Sequence, residues 1–420
     1  MQKKIAIIGL GYVGLPLAIE FGKKYQTIGY DTNINRINEL SRGIDLTGEV
    51  TRRNIQSSIK LSLTSKLEDI STCNYFIISV PTPIDKKNKP DLSILLEATS
   101  SIGTFLKKGD IVIFESTVYP GCTEEDCVPI LEKKSKLKYN KDFFCGYSPE
   151  RINPGDKKRT LTKIMKITSG SNPSTANKVD NLYKSIIRAG TYKASSIKVA
   201  EAAKVIENCQ RDINIAFVNE LSIIFDKLGL DTKEVLDAAS SKWNFLSFTP
   251  GLVGGHCIGV DPYYLIHKAK KIGYKSNIMY AGRKLNDYIP EYISNNIIKH
   301  YKKNKINISK VNTLILGMTF KENCPDTRNS KVIDVYNNLI KKNINVQIYD
   351  PFASKKEVYD NYGINLINYN HIKKKYYDCI LVAVAHDQFI NLDLEKFIKY
   401  KKSLIYDLKG IYQDKDYRRL

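Results

Sequence analysis

The sequence lacks the features that mark membrane, disulfide-rich and zinc-binding proteins. No stretch approaches the about 18 consecutive apolar residues of a membrane-spanning helix. The eight cysteines are scattered, without a C-x-x-C pair or neighbouring clusters of histidine, which argues against a disulfide framework and against a zinc site. We therefore expect a protein of the reducing cytoplasm that uses no metal and has no membrane partner.

A secretory signal is also missing, although the N-terminus resembles one because Lys3 and Lys4 precede an apolar run. Gly9, Gly11 and Gly14 interrupt that run, and no small-residue cleavage site is evident. We interpret the segment as the start of a folded domain.

An arginine-rich arm is absent too, although the chain is strongly basic. Its 65 Lys and Arg residues against 44 Asp and Glu residues give a net charge of +21. The lysines are spread along the whole chain and no nucleic-acid-binding motif accompanies them. The charge therefore favours a small phosphorylated substrate and not a nucleic acid as partner.

The length of 420 residues is too great for one ordinary core, and 42% hydrophobic residues suit a globular protein. The order of patterns predicts an α/β protein: two Rossmann-like, doubly wound parallel-sheet domains joined by a long central helix and a helical middle domain. The predicted domains are 1–195, 196–304 and 305–420.

Short β-branched runs mark the strands of both α/β domains. The predicted strands are Lys4–Ile8, Thr27–Tyr30, Tyr75–Ser79, Ile111–Phe114, Val311–Gly317, Asn345–Tyr349 and Cys379–Val384, and a helix is predicted over Lys331–Lys342. The last domain lacks the glycine triplet of the first, so the two need not bind the same ligand.

One long helix is predicted from Ser196 to Leu228, where neither Gly nor Pro occurs. At about 100° per residue, Lys204, Asn208 and Arg211 form a polar stripe. Opposite it lie Val199, Ala202, Ala203 and Ile206. This helix is a candidate dimer interface. A Gly- and Pro-rich loop over 248–264 follows it, and then a helical stretch to about Lys303.

A dinucleotide site is predicted where Gly9, Gly11 and Gly14 follow the first strand and open a helix. Gly9 permits the tight turn, Gly11 lets the backbone approach a pyrophosphate, and Gly14 allows the helix to pack closely on the strand. Asp31 ends the next strand, where an acid binds the ribose hydroxyls and repels a 2′-phosphate. The cofactor is therefore predicted to be NAD and not NADP, although Arg36 lies nearby.

A candidate nucleophile lies in the segment Gly254-Gly255-His256-Cys257. A lone cysteine is usually a small buried hydrophobic residue. The glycines before Cys257 allow close approach of backbone, however, and Asp261 follows within one helical turn, where it can orient a water or accept a proton. A thiolate is an efficient nucleophile towards an aldehyde.

Together, seven segments resemble the UDP-glucose/GDP-mannose dehydrogenase family over essentially the whole chain. They are Gly9-Leu10-Gly11-Tyr12-Val13-Gly14, Val80-Pro81-Thr82-Pro83, Glu115-Ser116-Thr117, Ser148-Pro149-Glu150, the helix with Lys204 and Asn208, Gly254-Gly255-His256-Cys257, and Phe320-Lys321. The resemblance implies a four-electron oxidation, in which Cys257 captures the aldehyde as a thiohemiacetal and a second hydride transfer gives a thioester that water cleaves.

The resemblance also implies roles for individual residues. Lys204 and Asn208 stabilise the oxyanion and assist proton transfer, Glu150 activates the hydrolytic water, and Asp261 and Thr117 complete the catalytic set. The implied cofactor-binding residues are Gly9, Gly11, Tyr12, Val13, Gly14, Asp31, Arg36, Thr82, Thr117 and Arg328. The implied substrate-binding residues are Glu150, Arg151, Lys204, Asn208, Phe245, Gly254, Phe320 and Lys321.

Two departures bear on the substrate. His256 before the cysteine and Val260-Asp261-Pro262 after it are similar to the branch of the family that acts on UDP-N-acetylhexosamines, as is the segment from Tyr147 to Gly155. In the segment Asp407-Leu408-Lys409-Gly410, lysine stands where glucose-type enzymes carry arginine. The compact ammonium of lysine thus replaces the forked guanidinium of arginine.

The expected activity is thus the C6 oxidation of UDP-GalNAc or UDP-GlcNAc by a homodimer or larger assembly that supplies surface polysaccharide precursors. UDP-glucose and UDP-ManNAc stay open as substrates. A two-electron hydroxyacid or sugar-phosphate dehydrogenase is a second hypothesis, and a redox-sensing NAD-binding module or nucleic-acid binder is a third.

Overall fold

The computed structural model describes residues 2–85, 87–151, 159–400, 402–413 and 416–420. Residues 152–155 of the segment that resembles the N-acetylhexosamine branch lie outside this part. The chain forms two compact units, Met1–Glu207 with Tyr263–Tyr274, and Asn208–Pro262 with Lys275–Leu420. The division into domains at residues 195 and 304 stays a prediction.

The first unit contains an eight-stranded sheet in the order β3-β2-β1-β4-β5-β6-β7-β8. Its strands are β1 Lys4–Ile8, β2 Gln26–Tyr30, β3 Leu61–Thr64, β4 Tyr75–Ile78, β5 Ile111–Phe114, β6 Phe144–Tyr147, β7 Lys166–Gly170 and β8 Thr191–Lys193. The first six strands are parallel in the doubly wound order, whereas β7 runs antiparallel to β6. The four predicted strands are confirmed to within one residue. The edge strands β3 and β8 were missed, as were β6 and β7.

Helices cover this sheet, which explains why its central strands are apolar on both faces. They are α1 Gly14–Gly22, α2 Ile34–Ser41, α3 Arg52–Ser57, α4 Ser93–Gly103, α5 Val128–Ser135 and α6 Pro173–Lys184. Shorter turns lie at Leu67–Thr72, Thr123–Cys127 and Leu161–Lys163. Every residue of β5 is buried.

Four helices form the middle of the chain: α7 Ile197–Leu228, α8 Thr232–Ser240, α9 Asp261–Lys271 and α10 Asn277–Lys303. The prediction of one long helix is confirmed by α7. Its polar stripe is buried, with Lys204 6% and Asn208 0% exposed, whereas Ile206 on the apolar side is 54% exposed. Around Lys204 and Asn208, polar side chains are therefore buried while a neighbouring apolar side chain is exposed, the opposite of the usual amphipathic arrangement.

Two predictions for the segment after α8 were wrong in detail. The loop predicted over 248–264 ends at α9, because the carbonyl of Cys257 accepts the backbone N–H groups of Val260 and Asp261 and starts a helical turn. The helix predicted from there to Lys303 is two helices, because Gly273 adopts a φ of +81°, which ends a right-handed helix.

The second unit contains a five-stranded parallel sheet in the order β10-β9-β11-β12-β13. Its strands are β9 Asn312–Leu316, β10 Asn345–Tyr349, β11 Cys379–Val382, β12 Leu404–Asp407 and β13 Arg418–Arg419, and its helices are α11 Val332–Ile340, α12 Lys355–Tyr362, α13 Tyr369–Ile372 and α14 Asp387–Ile390, with shorter turns at Ile308–Lys310 and Leu394–Phe397. This is the second common doubly wound order, so the predicted fold class is confirmed. None of the helices described here combines the length and hydropathy required to cross a bilayer.

Candidate active site

The cofactor crevice of the first unit lies at the carboxyl ends of β1 and β4, where the strand order reverses. Gly9 has a φ of +89°, and a Cβ on Gly14 would stand 1.8 Å from the carbonyl oxygen of Gly9. A Cβ on Gly11 would meet no atom within 4 Å. The first and third glycines are thus required by the fold, and Gly11 leaves open space in front of the N-terminus of α1 that suits a pyrophosphate. Tyr12 and Val13 lie between Gly11 and Gly14, the first residue of α1.

Asp31 and Arg36 hold the glycine turn in place. Asp31 accepts the backbone N–H of Leu10 over 2.9 Å. The Arg36 guanidinium donates to the carbonyl of Leu10 and to Asp45, over 3.0 and 2.7 Å. Arg36 is therefore committed to the protein, which favours NAD over a phosphorylated dinucleotide.

Thr82 and Thr117 are brought together at the same edge of the sheet, since the Thr82 hydroxyl donates to the carbonyl of Thr117 over 2.7 Å. The buried Tyr264 donates to the carbonyl of Thr82 over 2.8 Å. Tyr264 was not predicted, and its sequence context contains no signal that distinguishes it from other core tyrosines.

Glu150 lies in a buried cluster with Glu115 and Lys166, beside β5, β6 and β7. One carboxylate oxygen of Glu150 accepts the backbone N–H of Arg151. The Arg151 guanidinium pairs with Glu207 on α7 at 2.6 Å. Arg151 thus lies near both Glu150 and the central helix.

Cys257 is the one exposed cysteine of the eight, all of which lie in the described residues. Burial raises the pKa of Cys73 to about 11 and that of Cys209 and Cys379 to about 12. These buried thiols are poor nucleophiles near neutral pH because the thiolate is the reactive form. Exposure therefore selects Cys257 from a set that composition could not separate.

The two glycines before Cys257 are required by contacts within the second unit. A Cβ on Gly255, which has a φ of +80°, would stand 2.7 Å from the ring of Phe320, and one on Gly254 would stand 2.5 Å from the carbonyl oxygen of Asn329. Gly255 also donates its N–H to Asn329. The loop that carries Cys257 is thus fixed against the segment that contains Phe320 and Lys321.

His256 directly precedes Cys257 in the chain and lies 3.5 Å from Asp326. Asp326 also receives both arms of the Arg328 guanidinium, over 2.9 and 2.6 Å. Burial of Asp326 opposes its ionisation, but the hydrogen bonds from Arg328 and His256 hold its pKa well below the usual range. Arg328 is therefore held by its own segment, with half of its side chain exposed.

Lys204 and Asn208 lie one turn apart on α7, as predicted. The amide of Asn208 donates to the carboxylate of Asp261, and Arg211 donates to Asn208 over 2.7 Å. The backbone N–H of Asp261 donates a hydrogen bond to the carbonyl of Cys257. The second unit thus brings together three of the predicted catalytic residues.

The segment after β9 is held by a buried pair that the sequence analysis missed. Asp350 accepts the N–H groups of Met318 and Thr319 over 2.6 and 3.0 Å and contacts His386 at 3.1 Å. Burial opposes ionisation, but these hydrogen bonds lower the pKa of Asp350 to about 2. A signal was available, because Asp350 follows β10 as Asp31 follows β2.

Phe245 and Lys409 are the remaining residues that the sequence analysis named in the second unit. Phe245 lies in the turn after α8, where its backbone donates to Lys242. Lys409 approaches the loop ahead of Cys257, where a Cβ on Gly251 would stand 3.1 Å from its ammonium.

Comparison with known proteins agrees with this geometry. The NAD-binding, central and UDP-binding domains of the UDP-glucose/GDP-mannose dehydrogenase family match residues 3–187, 198–288 and 314–414. The UDP-N-acetyl-D-glucosamine 6-dehydrogenase of Pseudomonas aeruginosa is 55% identical over 420 residues, covering 99% of both chains. The enzyme of the same name from Salmonella typhi is 57% identical over 413 residues, covering 98% of this chain and 96% of its own.

A solved structure has the same fold. The UDP-D-ManNAc dehydrogenase of Pyrococcus horikoshii superimposes with a TM-score of 0.90 at 29% identity, covering 99% of this chain and 98% of that one. The three family domains occur in order along the chain. The cofactor crevice suits a dinucleotide, and the one exposed cysteine lies in a loop that begins with two glycines. The protein therefore belongs to the UDP-glucose/GDP-mannose dehydrogenase family and is an NAD-dependent nucleotide-sugar dehydrogenase.

Proposed function

We propose that the enzyme oxidises the C6 alcohol of UDP-N-acetylglucosamine to the carboxylate, consuming two NAD⁺ and one water. The observation that carries this substrate is the full-length identity of 55% to 57% with two UDP-N-acetyl-D-glucosamine 6-dehydrogenases. His256 and Val260 are consistent with that branch. The sugar epimer is set by the shape of the pocket, so UDP-GalNAc is the principal competitor.

Each proposed catalytic residue has a defined task. Bound NAD⁺ supplies the hydride acceptor for both oxidation steps. Cys257 attacks the aldehyde carbon and holds the substrate as a thiohemiacetal and then as a thioester. Lys204 and Asn208 donate to the oxygen on which negative charge develops. Asp261 holds the Asn208 amide in orientation and accepts a proton.

The remaining proposed residues bind the ligands or activate water. Glu150 accepts a proton from the hydrolytic water, and Thr117 orients that water beside the cofactor. Phe320 and Lys321 bind the nucleotide sugar, with Gly254 allowing close approach of the backbone. Arg151 and Phe245 are proposed to contact the sugar. Tyr12, Val13, Thr82 and Arg328 are proposed to contact the cofactor, and Arg36 is proposed to act on it through the glycine turn that it holds.

The proposed reaction is expected to release two NADH for each nucleotide sugar consumed. The measurement is total NADH absorbance with limiting UDP-GlcNAc, UDP-GalNAc, UDP-ManNAc or UDP-glucose and excess NAD⁺. We expect a ratio of two, and kcat/KM highest for UDP-GlcNAc by about tenfold or more, because one well-placed polar contact is worth that much. A ratio of one would contradict the two-step mechanism and favour a simple two-electron dehydrogenase.

We also propose a homodimer or larger assembly formed through α7. Val199, Ile206, Phe217 and Ile224 are each between 44% and 54% exposed. Their positions on the helix differ by no more than about 20° at 100° per residue. An apolar stripe of this length is unusual on a monomer, and an isologous contact between two copies would bury it.

Placing a charge in that stripe is expected to dissociate the assembly. In sedimentation velocity, we expect the unmodified protein at twice the 47.8 kDa chain mass or more, and Phe217→Lys at the chain mass, because a lysine would be buried without a partner. Gln56→Lys, on the exposed face of α3, is the matched control and should leave the mass unchanged. Sedimentation of the unmodified protein at the chain mass would refute the proposal.

The cellular setting is proposed on chemical grounds. The eight cysteines, all in the described part of the chain, are thiols and not disulfides, as suits a reducing cytoplasm. A uronic acid attached to UDP is an activated sugar, so the product is expected to serve a glycosyl transfer reaction in the assembly of surface polysaccharide.

A further inference from the structure

A buried lysine that the sequence analysis did not single out lies beside Glu150. The Lys166 ammonium donates to Glu115 over 2.6 Å, to Glu150 over 3.0 Å and to the carbonyl of Pro149 over 3.0 Å. Only 3% of its side chain is exposed. The carbonyl of Ser148 accepts more weakly, over 3.4 Å. Because an ammonium has three protons, these acceptors leave none of them to other groups, and its orientation is determined.

The reversal of β7 explains how this lysine reaches the site. The antiparallel pairing of β6 and β7 sets Gly146 opposite Gly170 and Tyr147 opposite Ser169. Continued past the end of β6, the same register sets Glu150 opposite Lys166. The first residues of β7 therefore lie beside the carboxyl ends of the parallel strands β5 and β6.

Among the residues that the structure describes, two carboxyl groups and one ammonium meet in this cluster. Burial raises the pKa of Glu115 to about 7, although Lys166 lies beside it, and Glu150 adds to the rise. Tyr183 donates its hydroxyl to the other oxygen of Glu115. Without the ammonium, the two buried carboxyl groups would lose the donor that they share, and no contact with Lys166 would hold the carboxylate of Glu150 in its orientation. A general base must face the proton that it accepts.

We propose that Lys166 is a positioning residue for the hydrolytic step, which holds Glu150 in the orientation that the step requires but takes no part in hydride transfer. This inference rests on the proposed function of Glu150. In that step the water oxygen bonds to the thioester carbon while one water proton passes to Glu150. The C–S bond then breaks and its electron pair leaves with the sulfur, which gives the carboxylic acid and the Cys257 thiolate.

The test is rapid mixing of Lys166→Met with excess NAD⁺ and UDP-GlcNAc. We expect a fast burst of two NADH per chain, followed by turnover about 100-fold slower than that of the unmodified enzyme, because loss of a general base costs at least that factor. Intact-mass spectrometry is expected to detect the acyl group on Cys257. A merely structural role would lower the burst and later turnover together and leave no adduct.

Two further variants separate the possible outcomes. Tyr183→Phe disturbs the same cluster but keeps the contact between Lys166 and Glu150, and should show no adduct. Glu150→Gln should accumulate the adduct. If Glu150→Gln accumulates it and Lys166→Met turns over normally, the role of Lys166 is refuted and the proposed function stands. If neither accumulates it, the role of Glu150 itself fails. Should Lys166→Met not fold, Lys166→Arg, which keeps the charge but changes the donor geometry, must still accumulate adduct, and its absence refutes the inference.

Discussion

Replacing Cys257 with serine is expected to lower sustained NADH production by about 1000-fold or more. The serine hydroxyl is hardly ionised near neutral pH, whereas a thiol provides a usable fraction of thiolate, and the covalent step depends on that anion. The loss should fall on kcat, because Cys257 is proposed to bond only to the aldehyde and not to the bound alcohol. Steady-state kinetics with UDP-GlcNAc measure it.

A thiol outside the proposed site provides the matched control. Cys73→Ala removes a buried cysteine ahead of β4 and should keep kcat within a few fold. Iodoacetamide should label one thiol per chain in the unmodified enzyme and none in Cys257→Ser, because the other seven cysteines are buried. Cys257→Ser that retains most of its activity would favour the simple two-electron dehydrogenase.

The parts of the site that could be predicted from the sequence are those whose chemistry leaves a local mark. Gly9 and Gly14 are required by a turn and by a close approach between neighbouring elements, so the glycine pattern is readable over a few residues. The buried strands of the first sheet are short β-branched runs, which periodicity detects. The stripe of Lys204 and Asn208 follows from helical geometry alone.

What could not be predicted depends on contacts between distant parts of the chain. Lys166 becomes important because β7 is antiparallel, and nothing within its own stretch distinguishes it from a lysine on an exposed strand. His386 is important because it contacts Asp350, although Asp350 follows β10 and His386 comes after β11. Burial also could not be assigned: the pattern separated the two sides of α7, but only the fold determines that the polar side carrying Asn208 is inside.

The limits of pattern are clearest at Arg283, which resembles an ordinary surface arginine of a helix yet is 2% exposed. On α10 it donates to Asp212 of α7 and to Asp287, both over 2.6 Å. Asp212 is fully buried and also accepts from Asn286 over 2.7 Å. Burial raises the pKa of Asp212 even with the guanidinium in place. The arginine therefore compensates a charge that the fold has removed from water.

Replacing Arg283 with methionine is expected to lower the free energy of unfolding by about 3–5 kcal/mol, because an unpaired buried carboxylate remains. Urea unfolding followed by circular dichroism measures it. Arg42→Met, at the exposed end of α2, is the matched control and should change the value by less than about 0.5 kcal/mol. Adding Asp212→Asn to Arg283→Met removes the orphaned charge and should restore part of the loss. If Arg283→Met and Arg42→Met lower the free energy of unfolding equally, the buried pair contributes nothing to stability. If the double variant is no more stable than Arg283→Met, the lost stability comes from packing of the arginine stem and not from charge.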